Sequence, residues 1–173
     1  MSLLRLLEQV NGFVFDMDGV LTDATIWLHG DGSWVRRMHI RDGYALQLAV
    51  RKGYPICVIS GSDAPPVRDR LHMLGVSEVH MGVKDKREVL DGFLSRCGLK
   101  AAQVLYMGDD VPDIAAMRVC GVSACPHDAA RDVRSIAQYV SPIPGGAGCV
   151  RDVIERVLRL HDRWDDDAQL QSL

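Results

Sequence analysis

Residues 13–23 read FVFDMDGVLTD, so an acidic loop directly follows a short apolar segment. A short apolar run of this kind is typical of a buried strand in a parallel sheet. Asp16 and Asp18 then lie where the strand ends, which is the edge at which open α/β sheets bind ligands. Taken alone, the loop also fits two solvated turn aspartates. It fits a calcium loop of the EF-hand type poorly, because the later acidic ligands are missing.

Strand-like apolar segments recur along the chain, and each is followed by a stretch long enough for a helix. The strand-like segments are residues 12–15, 56–60, 78–81 and 104–107, and the helical segments are residues 42–52, 65–74, 84–97, 112–120 and 150–160. Asp42 suits the N-cap of the first of these helices. The alternation predicts an α/β fold, a Rossmann-like parallel sheet with helices on both faces.

Residues 25–39 interrupt this alternation directly after the first strand. Two strand-like arms meet at residues 30–32, which read GDG, and this pattern predicts a small β-hairpin. Trp27 and Trp34 lie on opposite arms, and an apolar pair on only two strands needs a covering surface. We expect another subunit to provide that surface.

The length of 173 residues is that of one domain. We place this domain at residues 1–164, with residues 25–39 as a flap, because the gaps between the strand-like and helical segments are too short to hold a second domain. Residues 165–173 have no periodicity and predict a flexible tail. Apolar residues make up 47% of the chain and charged residues 25%, which indicates a packed core and excludes disorder as the main organisation.

Composition also argues against several classes of partner. The formal charge is −3 and no basic stripe accompanies it, so we expect no nucleic acid partner. The apolar runs are far shorter than the roughly 20 residues of a membrane span, and residues 1–8 do not resemble a signal peptide. We therefore expect no membrane partner and a cytoplasmic location. The five cysteines contain no C-x-x-C pair, so neither a disulfide framework nor a zinc site is expected.

A second acidic loop, residues 108–113 (GDDVPD), follows the fourth core strand. Parallel strands bring its three aspartates to the same sheet edge as Asp16 and Asp18. Five converging carboxylates repel one another unless a divalent cation joins them, and oxygen ligands alone favour Mg²⁺. Ser60 and Gly61 end the second strand and Lys86 follows the third. A hydroxyl, free N–H groups, a lysine and a metal together suit a phosphate group.

These motifs closely resemble the signatures of the haloacid dehalogenase superfamily of phosphohydrolases. In chain order they are DMDGVLTD at residues 16–23, Ser60, Lys86, and GDD at residues 108–110 with Asp113. The resemblance narrows to the small capless phosphatases that act on 3-deoxy-D-manno-octulosonate 8-phosphate, because residues 40–44 (IRDGY) and 145–152 (GGAGCVRD) are similar to two further signatures of that family. Ser62 departs from the family's usual Arg, and Ala24 departs from its usual Gly.

The resemblance implies a role for each matched residue. Asp16 would be the nucleophile and Asp18 the general acid and base, with Mg²⁺ held by Asp16, Asp109 and Asp18 through its carbonyl. Ser60, Gly61 and Lys86 would bind the phosphate, while Asp110 and Asp113 would orient metal-bound waters and Lys86. Candidate contacts to the sugar are Thr22, Arg41, Asp42, Arg68, Arg70 and Arg151. The product of the reaction would be an acidic sugar, the precursor of an inner lipopolysaccharide component.

Two other functions remain open at this point. The same chemistry would serve a nonulosonate 9-phosphate, and Ser62 is the main support for that substrate. A non-catalytic, phosphatase-like assembly domain is the third hypothesis, although the residues whose loss would mark it are present. The resembled family also implies a homotetramer in which the hairpins pack together. There, the flexible segment at residues 144–148 would lead the C-terminal part of one chain over a neighbour's site.

Overall fold

Six parallel strands form the central sheet of this chain, in a computed structural model that describes residues 2–165. The strands in chain order are β1 (Gly12–Phe15), β2 (Trp27–Leu28), β3 (Trp34–Val35), β4 (Ile56–Ile59), β5 (Glu78–His80), β6 (Val104–Met107), β7 (Val122–Cys125) and β8 (Tyr139–Val140). The order in the sheet is β5-β4-β1-β6-β7-β8, whereas β2 and β3 pair antiparallel as a separate hairpin. The predicted Rossmann-like sheet with its hairpin insertion is confirmed.

Helices cover both faces of the sheet. They are α1 (Leu3–Leu7), α2 (Ile40–Arg51), α3 (Pro65–Met73), α4 (Lys86–Cys97), α5 (Ile114–Met117), α6 (Arg131–Ile136) and α7 (Cys149–Leu160). In β1, Phe13 and Phe15 pack into a core that includes buried side chains of α2, α3 and α7, while Val14 packs with buried side chains of α4, α5 and α6 on the other face. Burial on both faces explains why β1 reads as a continuous apolar run.

Several elements differ from the sequence-based expectation. The predicted strands omitted β7 and β8, and the predicted helices omitted α1 and α6, which are short and weakly periodic. Asp42 is not an N-cap: α2 begins at Ile40 after His39, and the Asp42 carboxylate accepts the backbone N–H of Arg151 on α7 at 2.7 Å. The local sequence does not distinguish a carboxylate that accepts a hydrogen bond from a neighbouring helix from one that caps its own helix.

The hairpin presents an apolar surface to solvent in the single chain. Trp27 and Leu28 are 67% and 72% exposed, and Trp34 and Val35 are also exposed. The arms are shorter than predicted, with two residues in each strand. Large apolar side chains without a covering surface mark a site of interaction.

Residues 144–148 are packed within their own chain, so the expectation of a flexible segment is wrong. The N–H of Gly146 donates to the carbonyl of Val20 at 3.0 Å, and a Cβ on Gly145 would overlap the carbonyl of Gly19. The helix that follows, α7, buries six side chains against the core. Removal of the chain from residue 142 onward would therefore take away part of the core as well as any contact to a neighbour's site.

Only the first residue of the expected tail, Asp165, lies within the described part of the chain. Its carboxylate pairs with the Lys52 ammonium at 2.8 Å, and the rest of the tail, residues 166–173, lies outside the described residues. Among residues 2–165, no helix has the length and apolar character needed to cross a bilayer. The same residues contain no cap domain, and their one insertion in the alternating pattern is the hairpin.

Candidate active site

The carboxyl ends of β1, β4 and β6 meet at one edge of the sheet because β1 lies between the other two strands. This edge carries Asp16 after β1, Ser60 after β4 and Asp109 after β6. Lys86, the first residue of α4, extends into the same place. Asp16 and Lys86 are each only 7% exposed, so their charges interact through protein rather than through bulk water.

The loop after β1 turns sharply at Gly19, where φ is +86°. A Cβ at this position would overlap the Asp109 carboxylate, so the close approach of the two acidic loops requires glycine here. Oδ1 of Asp16 accepts the N–H of Met17 at 2.7 Å. These local contacts hold the Asp16 carboxylate at the entrance of the loop.

Lys86 links the two acidic loops. Its Nζ lies 2.9 Å from Oδ1 of Asp16 and 2.7 Å from Oδ1 of Asp113. Asp113 is fully buried and also accepts hydrogen bonds from the Tyr106 hydroxyl at 2.8 Å and the Asp109 N–H at 3.2 Å. Asp113 therefore positions both Lys86 and the second acidic loop. Tyr106 was not among the predicted site residues, although a hydroxyl in a buried strand signals a buried polar partner.

Two carboxylates at this edge, those of Asp109 and Asp16, have raised pKa values. Burial, followed by the charges of Asp16 and Asp113, raises the pKa of Asp109 from 3.8 to about 8. Burial, followed by the charge of Asp113, raises the pKa of Asp16 to about 6 despite the opposing effect of Lys86. The pKa of Lys86 is raised because its two carboxylate partners outweigh the effect of burial. The site thus carries more negative charge than Lys86 alone neutralises.

A divalent cation fits this excess of negative charge. Carboxylate oxygens of Asp16, Asp109 and Asp113 lie within 4.8 Å of one another. Asp113 already accepts hydrogen bonds from Lys86 and Tyr106, so Asp16 and Asp109 are the carboxylates that remain for a metal. A donor set made only of oxygen atoms is the set that Mg²⁺ prefers.

Asp18 is held by a residue of the hairpin. Arg36 donates from Nε to Oδ1 of Asp18 at 2.8 Å and from Nη2 to Oδ2 at 3.2 Å. The Thr22 hydroxyl also donates to Oδ1 of Asp18, at 3.2 Å. Arg36 was missed by the sequence analysis because no local pattern distinguishes it from its exposed neighbour Arg37.

Two adjoining cavities open at this edge. The first, of about 320 Å³, is lined by Asp16, Asp18, Ser60, Lys86 and Asp109 among others. The second, of about 660 Å³, lies between the hairpin and α3 and has Arg36 in its wall. Arg36 contacts Asp18, so this ion pair lies between the two cavities. The larger cavity is a groove with apolar and basic walls.

Known proteins are similar to this chain over nearly its whole length, although no family model matches it. The 3-deoxy-D-manno-octulosonate 8-phosphate phosphatase of Escherichia coli (strain K12) is 31% identical over 166 residues, which cover 96% of this chain and 88% of that protein. The chain belongs to the 3-deoxy-D-manno-octulosonate 8-phosphate phosphatase family. It is therefore a phosphoric monoester hydrolase of the haloacid dehalogenase superfamily.

Solved structures agree with this assignment. The enzyme of this family from Moraxella catarrhalis, crystallised with a magnesium ion, a phosphate ion and a KDO molecule, has a TM-score of 0.87 and 29% identity, over 91% of this chain and 90% of that one. A Legionella pneumophila protein described as a putative hydrolase of the haloacid dehalogenase superfamily has a TM-score of 0.90 and 26% identity, over 92% and 88% of the two chains. The fold of this chain is therefore similar to that of solved members of the phosphatase family over about nine-tenths of its length.

Some phosphatase-family residues predicted from sequence lie around the carboxylate cavity in supporting positions. The Ser60 hydroxyl accepts the N–H of Ser62 at 3.1 Å, and Gly61 lines the cavity beside it. Asp110 is exposed and accepts the N–H of Val111 at 2.8 Å, so its carboxylate caps the turn that follows it. Thr22 is fully buried and supports the Asp18 loop from within.

The remaining candidate sugar contacts are dispersed. Arg70 lines the groove beside the hairpin, whereas Arg68 pairs with Asp63 at 2.5 Å. Arg41 and Arg151 line a third cavity of about 580 Å³, which shares no lining residue with the carboxylate cavity. Asp42 is buried under α7. The structure therefore does not bring Asp42, Arg41, Arg68 or Arg151 of this chain into the carboxylate cavity.

Proposed function

We propose that this chain hydrolyses an acidic sugar phosphate, 3-deoxy-D-manno-octulosonate 8-phosphate, with Mg²⁺ and through an aspartyl-phosphate intermediate. The observation that carries the proposal is the placement of the Asp16 carboxylate. It lines a cavity with room for a phosphate group, is held by Lys86, and lies beside a second carboxylate, that of Asp109. Asp18 lines the same cavity and would transfer protons.

Asp16 and Asp109, together with the Asp18 carbonyl, are the groups that would hold Mg²⁺. When bound, the ion supplies positive charge that offsets the repulsion between an anionic nucleophile and an anionic phosphate. Lys86 and the hydroxyl of Ser60 would hold the non-bridging phosphate oxygens, with Gly61 contributing backbone N–H donors. Groups held in place before the reaction stabilise developing charge without further rearrangement.

In the first step, an Asp16 carboxylate oxygen attacks phosphorus in line with the bond to the sugar. The phosphorus–oxygen bond breaks, its electron pair stays with the sugar oxygen, and Asp18 gives that oxygen its proton. Arg36 binds both oxygens of the Asp18 carboxylate in the free enzyme. Asp18 can carry the transferred proton on one oxygen while its other oxygen still accepts from Arg36.

In the second step, a water molecule attacks phosphorus while Asp18 accepts the proton of that water. The bond between phosphorus and Asp16 breaks, which restores the Asp16 carboxylate and releases inorganic phosphate. Lys86 stays with Asp16 throughout because Asp113 holds the lysine from the other side.

The groove between the hairpin and α3 is the proposed place for the sugar. Arg70 lines this groove and offers a cation for the sugar carboxylate, and Trp34 and Met38 offer apolar surface. The KDO molecule named in the Moraxella catarrhalis structure supports the same substrate class. Ser62, in place of the family's usual Arg, favours a second candidate, a nonulosonate 9-phosphate, because a lost guanidinium is a lost contact to the carboxylate or a hydroxyl of the sugar.

A substrate panel with Mg²⁺ tests the proposal. We expect kcat/KM to be highest for 3-deoxy-D-manno-octulosonate 8-phosphate, lower for a nonulosonate 9-phosphate, and lowest for glucose 6-phosphate. Preference for the nine-carbon compound would select the second candidate. Equal turnover of glucose 6-phosphate would contradict the preference for an acidic sugar. If no phosphate ester were hydrolysed, the hypothesis of a non-catalytic assembly domain would be favoured.

We also propose that residues 1–164 act as one phosphatase domain, which assembles as a homotetramer in the cytoplasm. The single sheet supports the domain, the exposed hairpin supports assembly, and five free thiols suit a reducing compartment. Light scattering should give four chains per particle for the parent. Leu28→Asp should dissociate it, whereas Leu4→Asp, at an exposed apolar residue on α1, should not. A fully active monomeric parent would contradict the tetramer.

A further inference from the structure

A second group of metal-ligating side chains lies at the β5 edge of the sheet. Cys57 on β4 and Glu78 and His80 on β5 place a sulfur, a carboxylate oxygen and a ring nitrogen within 4.8 Å of one another. Cys57 and Glu78 are partners in the strand register, and His80 follows Glu78 by two residues on the same side of the strand. None of the three residues lines the carboxylate cavity.

The three side chains form a pocket that is buried on one side and open on the other. Cys57 is fully buried beneath α4, while the side chains of Glu78 and His80 are 24% and 34% exposed. His80 also lines an open cavity of about 550 Å³, together with Arg96. The open side of the pocket is therefore at His80, while two adjacent strands hold the three ligands.

Hydrogen bonds already orient the carboxylate of this pocket. Arg96 donates from Nε to Oε1 of Glu78 at 2.9 Å and from Nη2 to Oε2 at 2.8 Å. Nε2 of His80 lies 2.7 Å from Oε2 of Glu78. The two bonds from Arg96 fix the plane of the Glu78 carboxylate. An outer partner that fixes a ligating side chain is a regular feature of metal sites.

We propose that Cys57, Glu78 and His80 bind a zinc ion. Thiolate sulfur, imidazole nitrogen and carboxylate oxygen are the ligands that Zn²⁺ takes in proteins, whereas Mg²⁺ takes oxygen alone. On binding, Zn²⁺ replaces the proton of the Cys57 thiol, which leaves to solvent, and Nε2 of His80 binds as the neutral ring nitrogen with the proton on Nδ1. Arg96 keeps its hydrogen bonds to Glu78. The ion then joins the edge strand β5 to the buried strand β4.

Cobalt(II) tests the site in the full chain, because a thiolate–cobalt bond gives an absorption band that oxygen ligands cannot give. The reduced, metal-stripped protein is first saturated with Mg²⁺ and then titrated with Co²⁺. We expect one equivalent to produce the thiolate–cobalt band in the parent, and one equivalent of Zn²⁺ to remove it. The band should be absent in Cys57→Ala, and His80→Gln should weaken Co²⁺ binding at least tenfold.

Cys125→Ala is the matched control, because Cys125 is also fully buried and packs in the same part of the core. It should keep the band. If Cys57→Ala fails to fold by circular dichroism, then His80→Gln and Glu78→Gln, at partly exposed positions, decide the question. A parent without the thiolate–cobalt band, or a band that persists in Cys57→Ala, would overturn the site. Neither result bears on the carboxylate site, which is assayed separately as phosphatase activity.

Discussion

Arg36 on the hairpin binds both carboxylate oxygens of Asp18 on the loop after β1, at 2.8 and 3.2 Å. The Arg36 side chain is only 4% exposed, although the strands of the hairpin are open to solvent. Two parallel, charge-assisted hydrogen bonds fix orientation as well as distance. The hairpin therefore does more than offer an apolar surface, because it also positions the proposed proton-transfer group.

Replacement of Arg36 tests this positioning role. Arg36→Met should lower kcat about 10- to 100-fold, because Asp18 loses the contacts that hold it near the leaving oxygen. KM for a small aryl phosphate should change little, since phosphate binding rests on other residues. The matched control is Arg37→Met, which removes an exposed arginine paired with Asp23 and should stay within about twofold of the parent. If Arg36→Met kept the kcat of the parent, Arg36 would not position Asp18 for catalysis.

Asp16→Asn should abolish hydrolysis while the fold persists. The substitution removes the proposed nucleophile, so kcat should fall by at least about 1,000-fold. Because the folded state raises the pKa of Asp16 to about 6, its ionised form opposes folding at higher pH. The metal-free variant should thus melt at or above the temperature of the metal-free parent at pH 8. Steady-state kinetics and thermal melts check both points, and activity within a few-fold of the parent would refute the aspartyl-phosphate route.

Mg²⁺ should stabilise the protein more at high pH than at low pH. The folded state raises the pKa of Asp16 to about 6 and that of Asp109 to about 8, from 3.8. The metal-free folded chain therefore holds protons that the unfolded chain releases, so its stability falls as pH rises from about 4 to about 8. Mg²⁺ binds the ionised carboxylates and offsets this loss. Thermal melts with and without Mg²⁺ should differ more at pH 8 than at pH 5.5, and an equal shift at both would contradict the carboxylate site.

Asp42→Asn should change stability in a pH-dependent way. Burial raises the pKa of Asp42 from 3.8 to about 6, which corresponds to a loss of up to about 3 kcal/mol in the free energy of unfolding above that pH. Asparagine keeps an oxygen for the Arg151 N–H but carries no charge. In urea unfolding, the variant should therefore gain stability relative to the parent between pH 4 and pH 7.

Asp69→Asn is the control for this series, because Asp69 is exposed on α3. It should follow the parent at every pH. If Asp42→Asn shows the same stability difference from the parent at pH 4 and pH 7, the proposed titration of Asp42 is wrong.

The residues at the strand ends were predictable because they depend on the apolar pattern of the nearby sequence. Phe13 to Phe15 is apolar on both faces, so it forms a central strand, and the polar residue that follows must lie at the sheet edge. The same argument places Ser60 and Asp109 beside Asp16. No local pattern predicted Tyr106 as a partner of Asp113, since its hydroxyl meets that carboxylate only after the loop at residues 108–113 folds back.

Residues 144–148 show the opposite case, in which a local pattern misleads. Three glycines in five residues favour flexibility when considered alone. In the folded chain the same lack of side chains lets the backbone pack against the loop after β1, where a Cβ on Gly145 would overlap the carbonyl of Gly19. Glycine therefore suits both a flexible segment and a closely packed one, and only the neighbouring backbone determines which of the two forms.

Local pattern was therefore sufficient for the α/β sheet, the hairpin and the acidic residues at the sheet edge, because periodicity and strand ends depend on near neighbours in sequence. Packing alone determined the Arg36–Asp18 pair, the Asp42–Arg151 contact and the Cys57–Glu78–His80 group. Arg36 lies 18 positions from Asp18, Arg151 lies 109 positions from Asp42, and Glu78 lies 21 positions from Cys57. Each of these contacts depends on strand register or on the docking of one element against another. Contacts between residues so far apart in sequence form only when the whole core packs, so no single segment of the sequence predicts them.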